Sequence, residues 1–391
     1  MRCKLSEIAL VSAGQGAPQG DSNYCESGTP FVKAGNLQEL SNGASIDAIQ
    51  KVSNEVAATH GLKLQRKGSV LFAKSGMSCL KGYVYVLPED AYIVSHLACV
   101  TPMGVDSDYL CYYFRFHRPN KLVKDAAYPS ISLADIGCLE IEIPEGNEVT
   151  QIVDALKRVE SIINLHCQQF TALDTLIKAR FVEMFGDPVS NPYELPVVRL
   201  GELSELITKG ASPSWQGFSY TDDSSQTLFV TSENVREGFL DLSSPKYIED
   251  GFNDKQNRSM IYKGDFLINI VGASIGRAAQ FNLECKANMN QASALVRIND
   301  NRIMDKYLLV YLNSDKAQRM YDSMKSDTGR ANLSLQDIND LTIMLPPLDM
   351  QIEYETFVHQ VDKSKAVVQA AHVIARNLHS RRQQKCRILN F

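Results

Sequence analysis

The sequence predicts an α+β protein: two similar mixed α/β heads separated by an antiparallel pair of long coiled-coil helices, arranged about a pseudo-twofold. Three observations predict it, namely a long-period internal repeat, a heptad stripe after each repeat, and a proline-rich break between the halves. The expected boundaries are residues 1–145 for the first head, 146–186 for a central helix, 187–346 for a linker and second head, and 347–391 for a C-terminal helix.

The repeat consists of ordered matches at nearly constant offset. Lys4-Leu5-Ser6-Glu7-Ile8 returns as Arg199-Leu200-Gly201-Glu202-Leu203, 195 residues on. Phe31-Val32-Lys33-Ala34-Gly35-Asn36 returns as Phe229-Val230-Thr231-Ser232-Glu233-Asn234, 198 on. Lys67-Gly68-Ser69-Val70-Leu71-Phe72 answers to Lys263-Gly264-Asp265-Phe266-Leu267-Ile268 at 196, as Gly76 does to Gly272. Ile131–Ile136 answers to Leu333–Ile338, and Ile141–Pro144 to Ile343–Pro346, both at 202. Small loop insertions account for the drift. Within the heads, Val70–Ala73, Tyr83–Leu87 and Phe266–Ile270 read as strands, and Tyr109–Phe116 and Lys306–Met324 as helices. No regular βαβ alternation is visible.

Each half ends in a long helix. After Pro144, Asn147 is placed to cap the start. Val149, Ile152, Leu156, Val159, Ile163, His166, Phe170, Leu173, Ile177, Arg180 and Met184 then recur in steps of three and four, which is a coiled-coil seam. Gly186 and Pro188 stop the helix, giving about 38 residues and about 57 Å. In the second half Asp349 is the candidate cap, and Phe357, Val361, Ser364, Val368, Ala371, Ala375 and Leu378 continue the rhythm with smaller and more polar members. Arg382 and Lys385 extend that stripe toward a solvated or partner-bound end. Between the halves, Pro188, Pro192 and Pro196 forbid helix and mark a boundary.

With 391 residues, 44% hydrophobic and 22% charged, the chain has the material for two or three globular domains. No apolar run approaches the roughly 20 residues of a membrane span, and the N-terminus lacks a secretory apolar core. A cytoplasmic protein without membrane association is expected. Nine cysteines, none in a C-x-x-C spacing, argue against a zinc ribbon or redox pair and fit a reducing compartment. His96 and Cys99 read as a satisfied histidine and a buried thiol. No Walker phosphate loop is present, and Asn191-Pro192-Tyr193 lacks the second proline of the amino-methyltransferase motif. Asp265 with Glu284 and Lys286 loosely matches a metal-dependent nuclease arrangement, but Ser69 stands at the corresponding place in the first half. No catalytic residue, metal site or cofactor of its own is therefore expected. The net charge of −5 runs against a stand-alone nucleic-acid binder. What matters, however, is the field of one face, and a partner can supply positive charge.

The order head, helix, head, helix makes antiparallel helices carry two unlike heads in inverted orientation. Duplex DNA has a local twofold of its own, so such a molecule can read two separated half-sites. Helices of this length exceed one turn of DNA, about 34 Å. The expected target is asymmetric and bipartite, with an unread spacer.

Five stretches resemble a known family: Gly14-Gln15-Gly16-Ala17-Pro18; Thr29-Pro30-Phe31-Val32-Lys33; Phe181-Val182-Glu183-Met184-Phe185-Gly186-Asp187-Pro188; Asn332-Leu333-Ser334-Leu335-Gln336-Asp337-Ile338 leading to Leu345-Pro346-Pro347-Leu348; and Val361-Asp362-Lys363-Ser364-Lys365. They are similar to the specificity subunits of type I restriction-modification systems, over nearly the whole chain. The chain departs from the family after Leu348, where Asp349-Met350-Gln351 replaces the usual Glu-Gln pair, and before the first helix, where a single Pro144 precedes Glu145-Gly146. The resemblance implies a non-catalytic subunit that reads double-stranded DNA. Two adenine methyltransferase subunits and two ATP-driven restriction/translocase subunits would assemble on it. S-adenosylmethionine, ATP and magnesium would belong to those partners alone. The methyltransferases would supply much of the phosphate contact and leave base-edge contacts to this chain. The alternative is a duplicated coiled-coil protein-binding scaffold without DNA contact.

Polar residues recurring in matching loops are the candidate base readers. Gln15 and Gln19 pair with Lys209 and Ser212, and Lys33 and Asn36 with Ser232 and Asn234. Lys74 and Ser75 pair with Ser274 and Arg277, and Tyr128 and Ser130 with Arg330 and Asn332. Lys and Arg can donate to guanine, and Asn or Gln can bind adenine bidentately.

Overall fold

The computed structural model describes residues 1–324 and 331–388, with side chains in the last helix described as far as Leu378. Two units divide the chain: Met1–Cys167 with the C-terminal segment from Ala370, and Gln168–Gln369. Each contains one head and part of both long helices.

Both heads follow one plan. In the first, Ala9–Ala13, Leu97–Pro102, Val70–Ala73 and Val84–Val86 lie side by side in that order as an antiparallel sheet. In the second, Ser204–Lys209, Ser293–Ile298, Phe266–Asn269 and Ala278–Gln280 repeat it. The register repeats as well: Leu71 faces Cys99, and Leu267 faces Leu295. Val70–Ala73 and Phe266–Asn269 are buried at every position, which is why these strands appear in the sequence as apolar runs, Asn269 being the one polar member. A smaller sheet in each head holds a parallel pair, with Phe31 beside Tyr92 and Phe229 beside Asn288.

A two-stranded ribbon closes each head. Arg2–Lys4 pairs with Glu140–Glu142, and Val197–Arg199 with Thr342–Met344, so the chain leaves each head beside the point where it began. Two tyrosines pin the ribbon. Tyr109 and Tyr113 donate to the carbonyls of Glu142 (2.6 Å) and Glu140 (2.8 Å). Tyr307 and Tyr311 donate to those of Met344 (3.0 Å) and Thr342 (3.1 Å). Burial pushes the Tyr311 phenol up to about 12 and raises that of Tyr307 too, so both stay neutral donors.

The central helix, Glu148–Phe185, is 38 residues long, and the C-terminal helix, Leu348–Ile388, is 41. The carbonyl of Asn147 accepts from the amide of Gln151 at the start of the first. Every predicted seam position of the central helix is buried or half-buried. The helices pair antiparallel: in the second unit Arg180 bonds Glu353 and Asp174 bonds Lys365. In the first unit His166 lies against His372, and Leu378 lies beside Asp154 and Val159.

The seam of the C-terminal helix differs from the predicted one. Val361, Val368 and Ala375 lie on it, but the alternate positions fall at Val358, Lys365 and His372, with Gln351 and Tyr354 ahead of them. Phe357 and Ala371 are half-buried, whereas Ser364 and Leu378 are exposed. Aromatic packing sets this phase. Tyr354 lies 5.6 Å from the Phe181 ring and 5.4 Å from that of Phe185, and Tyr307 meets the same two rings at 5.3 and 4.9 Å. The Tyr354 hydroxyl also donates to the Ile177 carbonyl at 3.2 Å.

Asp349 is not the cap. The Pro347 carbonyl accepts from Gln351, and Asp349 sits in the first turn, where its charge favours the helix dipole. Gln351 is fully buried; it accepts from the Met304 amide and donates to the carbonyls of Arg302 and Pro346, at 2.8–2.9 Å. The predicted helix Lys306–Met324 is two helices, Asp305–Leu312 and Asp315–Met324. Asn313 interrupts it by bonding both the amide and the carbonyl of Ala278 at the sheet edge, 3.0 Å each. Arg382 and Lys385 fall among the side chains outside the described residues.

Phe181 is 2% exposed, so Phe181→Ala is expected to cost about 3–5 kcal/mol, read as a lower urea midpoint for the second unit. Ile162→Ala, at a 44% exposed position of the same helix, is expected to stay within about 0.5 kcal/mol.

Candidate nucleic-acid interface

Each head builds its candidate surface on loops that a glycine brings close to neighbouring backbone. A Cβ on Gly14 would lie 2.0 Å from the Ile93 carbonyl oxygen, and one on Gly210 would lie 1.8 Å from that of Met289. Only glycine fits there, so both loops leave the sheet along the same path. In the first head, Ile93 accepts from the Gln15 amide and Ser95 donates to the Gln15 carbonyl. The next turn continues the network, since Lys74 donates from its amide to the His96 carbonyl and the Ser75 hydroxyl bonds His96 Nδ1 at 2.7 Å. Ser75 bridges to Ser130, Gly76 donates to Pro129, and Ile131 donates to Lys74.

The second head repeats these backbone bonds. Val271 bridges to Asn332, Gly272 donates to Ala331, and Leu333 donates to Ile270. Asn332 therefore takes the place of Ser130, as expected. Lys74 and Ser75 correspond to Ile270 and Val271, however, and not to Ser274 and Arg277. The short apolar run at 270–271 hid this register. Arg330 lies outside the described residues.

In the first head the structure gathers Gln15, Lys74, Ser75 and Ser130 through this network. Tyr128, 81% exposed, stands on the same loop as Ser130. Gln19 is exposed, with Nε2 donating to the Ala17 carbonyl. Gln15 is partly committed, because its Oε1 accepts from the Lys63 amide at 2.8 Å. Lys33 lies 4.3 Å from the Tyr24 ring centroid and bonds Gln50. Asn36 holds its own turn, accepting from the Lys33 amide at 2.9 Å.

In the second head Lys209, Arg277 and Asn332 are exposed, and Ser212 bonds Ser214. The Ser232 carbonyl and Ser274 hydroxyl both accept from Asn269 Nδ2, at 2.9 and 3.1 Å. Asn234 is the clearest correction. It is 7% exposed, its Oδ1 accepts from both the amide and hydroxyl of Thr231, and its Nδ2 donates to the Asp241 carbonyl. Its oxygen is fully used and its amide nitrogen is engaged inside the loop, so this buried side chain serves the loop's own structure.

Two exposed residues were missed. His96 sits on Ser75, and Trp215, 87% exposed, stands on the Gly210 loop. Trp215 lies three residues after Ser212 but, being apolar, gives no hydrogen-bonding signal, and His96 lies 21 residues from Ser75, so only the fold brings it there. The nuclease-like trio dissolves into separate ion pairs: Asp265 with Arg297, Glu284 with Lys263, and Lys286 with Asp250. Cys99 is buried beside Thr101.

A family model described as type I restriction modification DNA specificity domain matches residues 1–173 and 192–370. The chain is 26% identical over 148 residues to the type I restriction enzyme MjaIX specificity subunit of Methanocaldococcus jannaschii, covering 36% of this chain and 33% of that protein. It is 27% identical over 128 residues to the EcoBI specificity subunit of Escherichia coli, covering 33% and 27%. The matched stretches thus span about a third or less of these curated relatives. Among solved structures, one chain of a type I restriction-modification system has a similar fold (TM-score 0.60, 19% identity, 99% of this chain and 97% of that one). The S subunit from M. genitalium is also similar (TM-score 0.54, 14% identity, 99% and 95%).

Asn234→Ala is expected to cost about 1–3 kcal/mol in thermal unfolding by leaving the Thr231 amide unpaired. Asp265 is 2% exposed, so Asp265→Ala leaves Arg297 without its partner and is expected to cost about 3 kcal/mol or more. The first head carries a Ser69–Thr101 hydrogen bond of 2.9 Å at this place. The double variant Asp265→Ser, Arg297→Thr should therefore unfold at a higher temperature than Asp265→Ala alone.

Proposed function

The chain belongs to the type I restriction modification DNA specificity family, and on that premise we propose that it is the DNA-reading subunit of a type I restriction-modification complex. It reads an asymmetric, bipartite site in double-stranded DNA, one half per head. It docks two adenine methyltransferase subunits and two restriction/translocase subunits. It acts in the cytoplasm without a catalytic centre of its own, and its partners handle S-adenosylmethionine, ATP and magnesium.

The observation that carries this reading is the duplicated loop framework. The same backbone bonds hold Ser75 to Ser130 and Val271 to Asn332, while the exposed side chains around them differ. One scaffold with two different polar surfaces suits two different half-sites, because base edges are told apart by their donor and acceptor patterns. The net charge of −5 suits a subunit whose partners make much of the phosphate contact. Among the described residues no helix is long and apolar enough to cross a membrane.

Expressing the chain with its methyltransferase partner in a methylation-free host, then sequencing modified bases, should yield a split motif. Exchanging residues 1–145 for another head should change one half only; a change in both would count against independent reading. Adding one heptad to both long helices should widen the spacer and leave both halves intact. A mobility shift that never appears with the assembled complex would favour the protein-binding scaffold instead.

A further inference from the structure

The one tryptophan of the chain is a conspicuous surface residue that nothing above employs. Trp215 is 87% exposed, on the four-residue helix Pro213–Gln216. An indole left in water forgoes the burial such a large ring normally gains, and tryptophan is a residue type enriched at binding interfaces.

Its setting is rigid. Pro213, at the first helical position, is buried, and Gly217 ends the turn with a φ of 80°. The Phe218 amide bonds back to the Pro213 carbonyl at 3.0 Å. Lys255 Nζ donates to the Gln216 carbonyl at 3.0 Å and lies 5.1 Å from the Phe218 ring centroid. The backbone that carries the indole is thus held in place, with an ammonium bonded to the next residue's carbonyl. Among the described residues no carboxylate pairs with Lys255.

Register supplies the second argument. The two crowded glycines, Gly14 and Gly210, start equivalent loops 196 residues apart. Counted from these glycines, the residue as far along as Gln19 is Trp215, and not Ser212, the counterpart expected from sequence. Gln19 is exposed too. The two heads thus offer unlike chemistry on these loops, an exposed amide in the first and an exposed apolar ring in the second.

We propose that Trp215 is a specificity-determining residue, making an apolar base contact in the half-site read by the second head while Lys255 faces the adjoining phosphate. This deepens the proposed function and rests on it. An indole matches an apolar base feature such as the thymine methyl, and a lysine beside it matches the backbone.

The test uses the chain assembled with its methyltransferase partner. In modified-base sequencing, Trp215→Ala should relax one or two base pairs in one half of the motif, with a loss of discrimination on the order of tenfold. The other half should stay unchanged. Trp215→Phe should retain the wild-type motif, and Trp215→Gln, borrowing the first head's residue, should shift the base preference. In parallel, 5-fluorotryptophan incorporated into this chain alone gives one fluorine resonance, since Trp215 is its sole tryptophan. That resonance should move when duplex carrying the wild-type motif is added to the assembled complex, and not when the partner alone binds. A wild-type motif in Trp215→Ala with a resonance unmoved by duplex overturns the proposal. So does a resonance that moves on partner assembly alone, which would make the indole a protein contact. If the wild-type complex writes no motif at all, the functional premise fails with it, an outcome distinct from both.

Discussion

Ring packing among Phe181, Phe185, Tyr307 and Tyr354 is the contact on which the second unit depends. It joins the end of the central helix, a helix of the head and the start of the C-terminal helix, stretches far apart in the chain. Three of the four ring pairs that join these stretches meet edge to face and one, Phe181 with Tyr307, is stacked, and the Tyr307 and Tyr354 hydroxyls each bond a backbone carbonyl. Through Tyr307 the cluster also grips the closing ribbon, so head and helices in this unit share one core. The first unit keeps the tyrosine pins but packs Tyr109 and Tyr112 against Val153 and Leu156. Polar contacts of Arg115 with Glu160 and of Lys157 with Asp108 add to that packing.

Duplication has preserved backbone geometry while side chains diverged. Gly68 donates to Leu87, and Gly264 to Phe281, at the same length of 2.8 Å. Beside these bonds, a Ser–Thr hydrogen bond in one head is a buried Asp265–Arg297 ion pair in the other. Asn269, wholly buried and bonded to Ser232, Ser274 and Ser293, stands where the first head has Ala73. Backbone bonds constrain the path of a loop and leave its outward side chains free to vary. A protein with two readers of unlike targets needs that separation.

Much of the architecture was legible in the residues. The heptad stripe of the central helix is unbroken because its seam is apolar nearly throughout, and Gly186 with Pro188 ends it where expected. The C-terminal stripe was misphased because Lys365 and His372 occupy seam positions that polarity hides. Asn313 read as a helical residue because its bond to Ala278 comes from a strand distant in sequence. In the candidate interface, matching loops were recognisable from their repeats, but Asn234 and Trp215 exchanged roles. A polar residue proved to be an internal clasp, and an apolar one an exposed feature.

The sequence by itself determined the duplication, the two long helices and the loops that carry the candidate interface, because periodicity and repeated motifs are local properties of the chain. Tertiary structure alone decided which side chains on those loops remain available. Availability depends on hydrogen-bond partners and burial contributed by other loops, as Asp241 does for Asn234 and Lys63 for Gln15. No hydrophobic periodicity encodes those partners, since Lys63 reaches Gln15 only across the fold and Asp241 reaches Asn234 only once the loop has closed on itself.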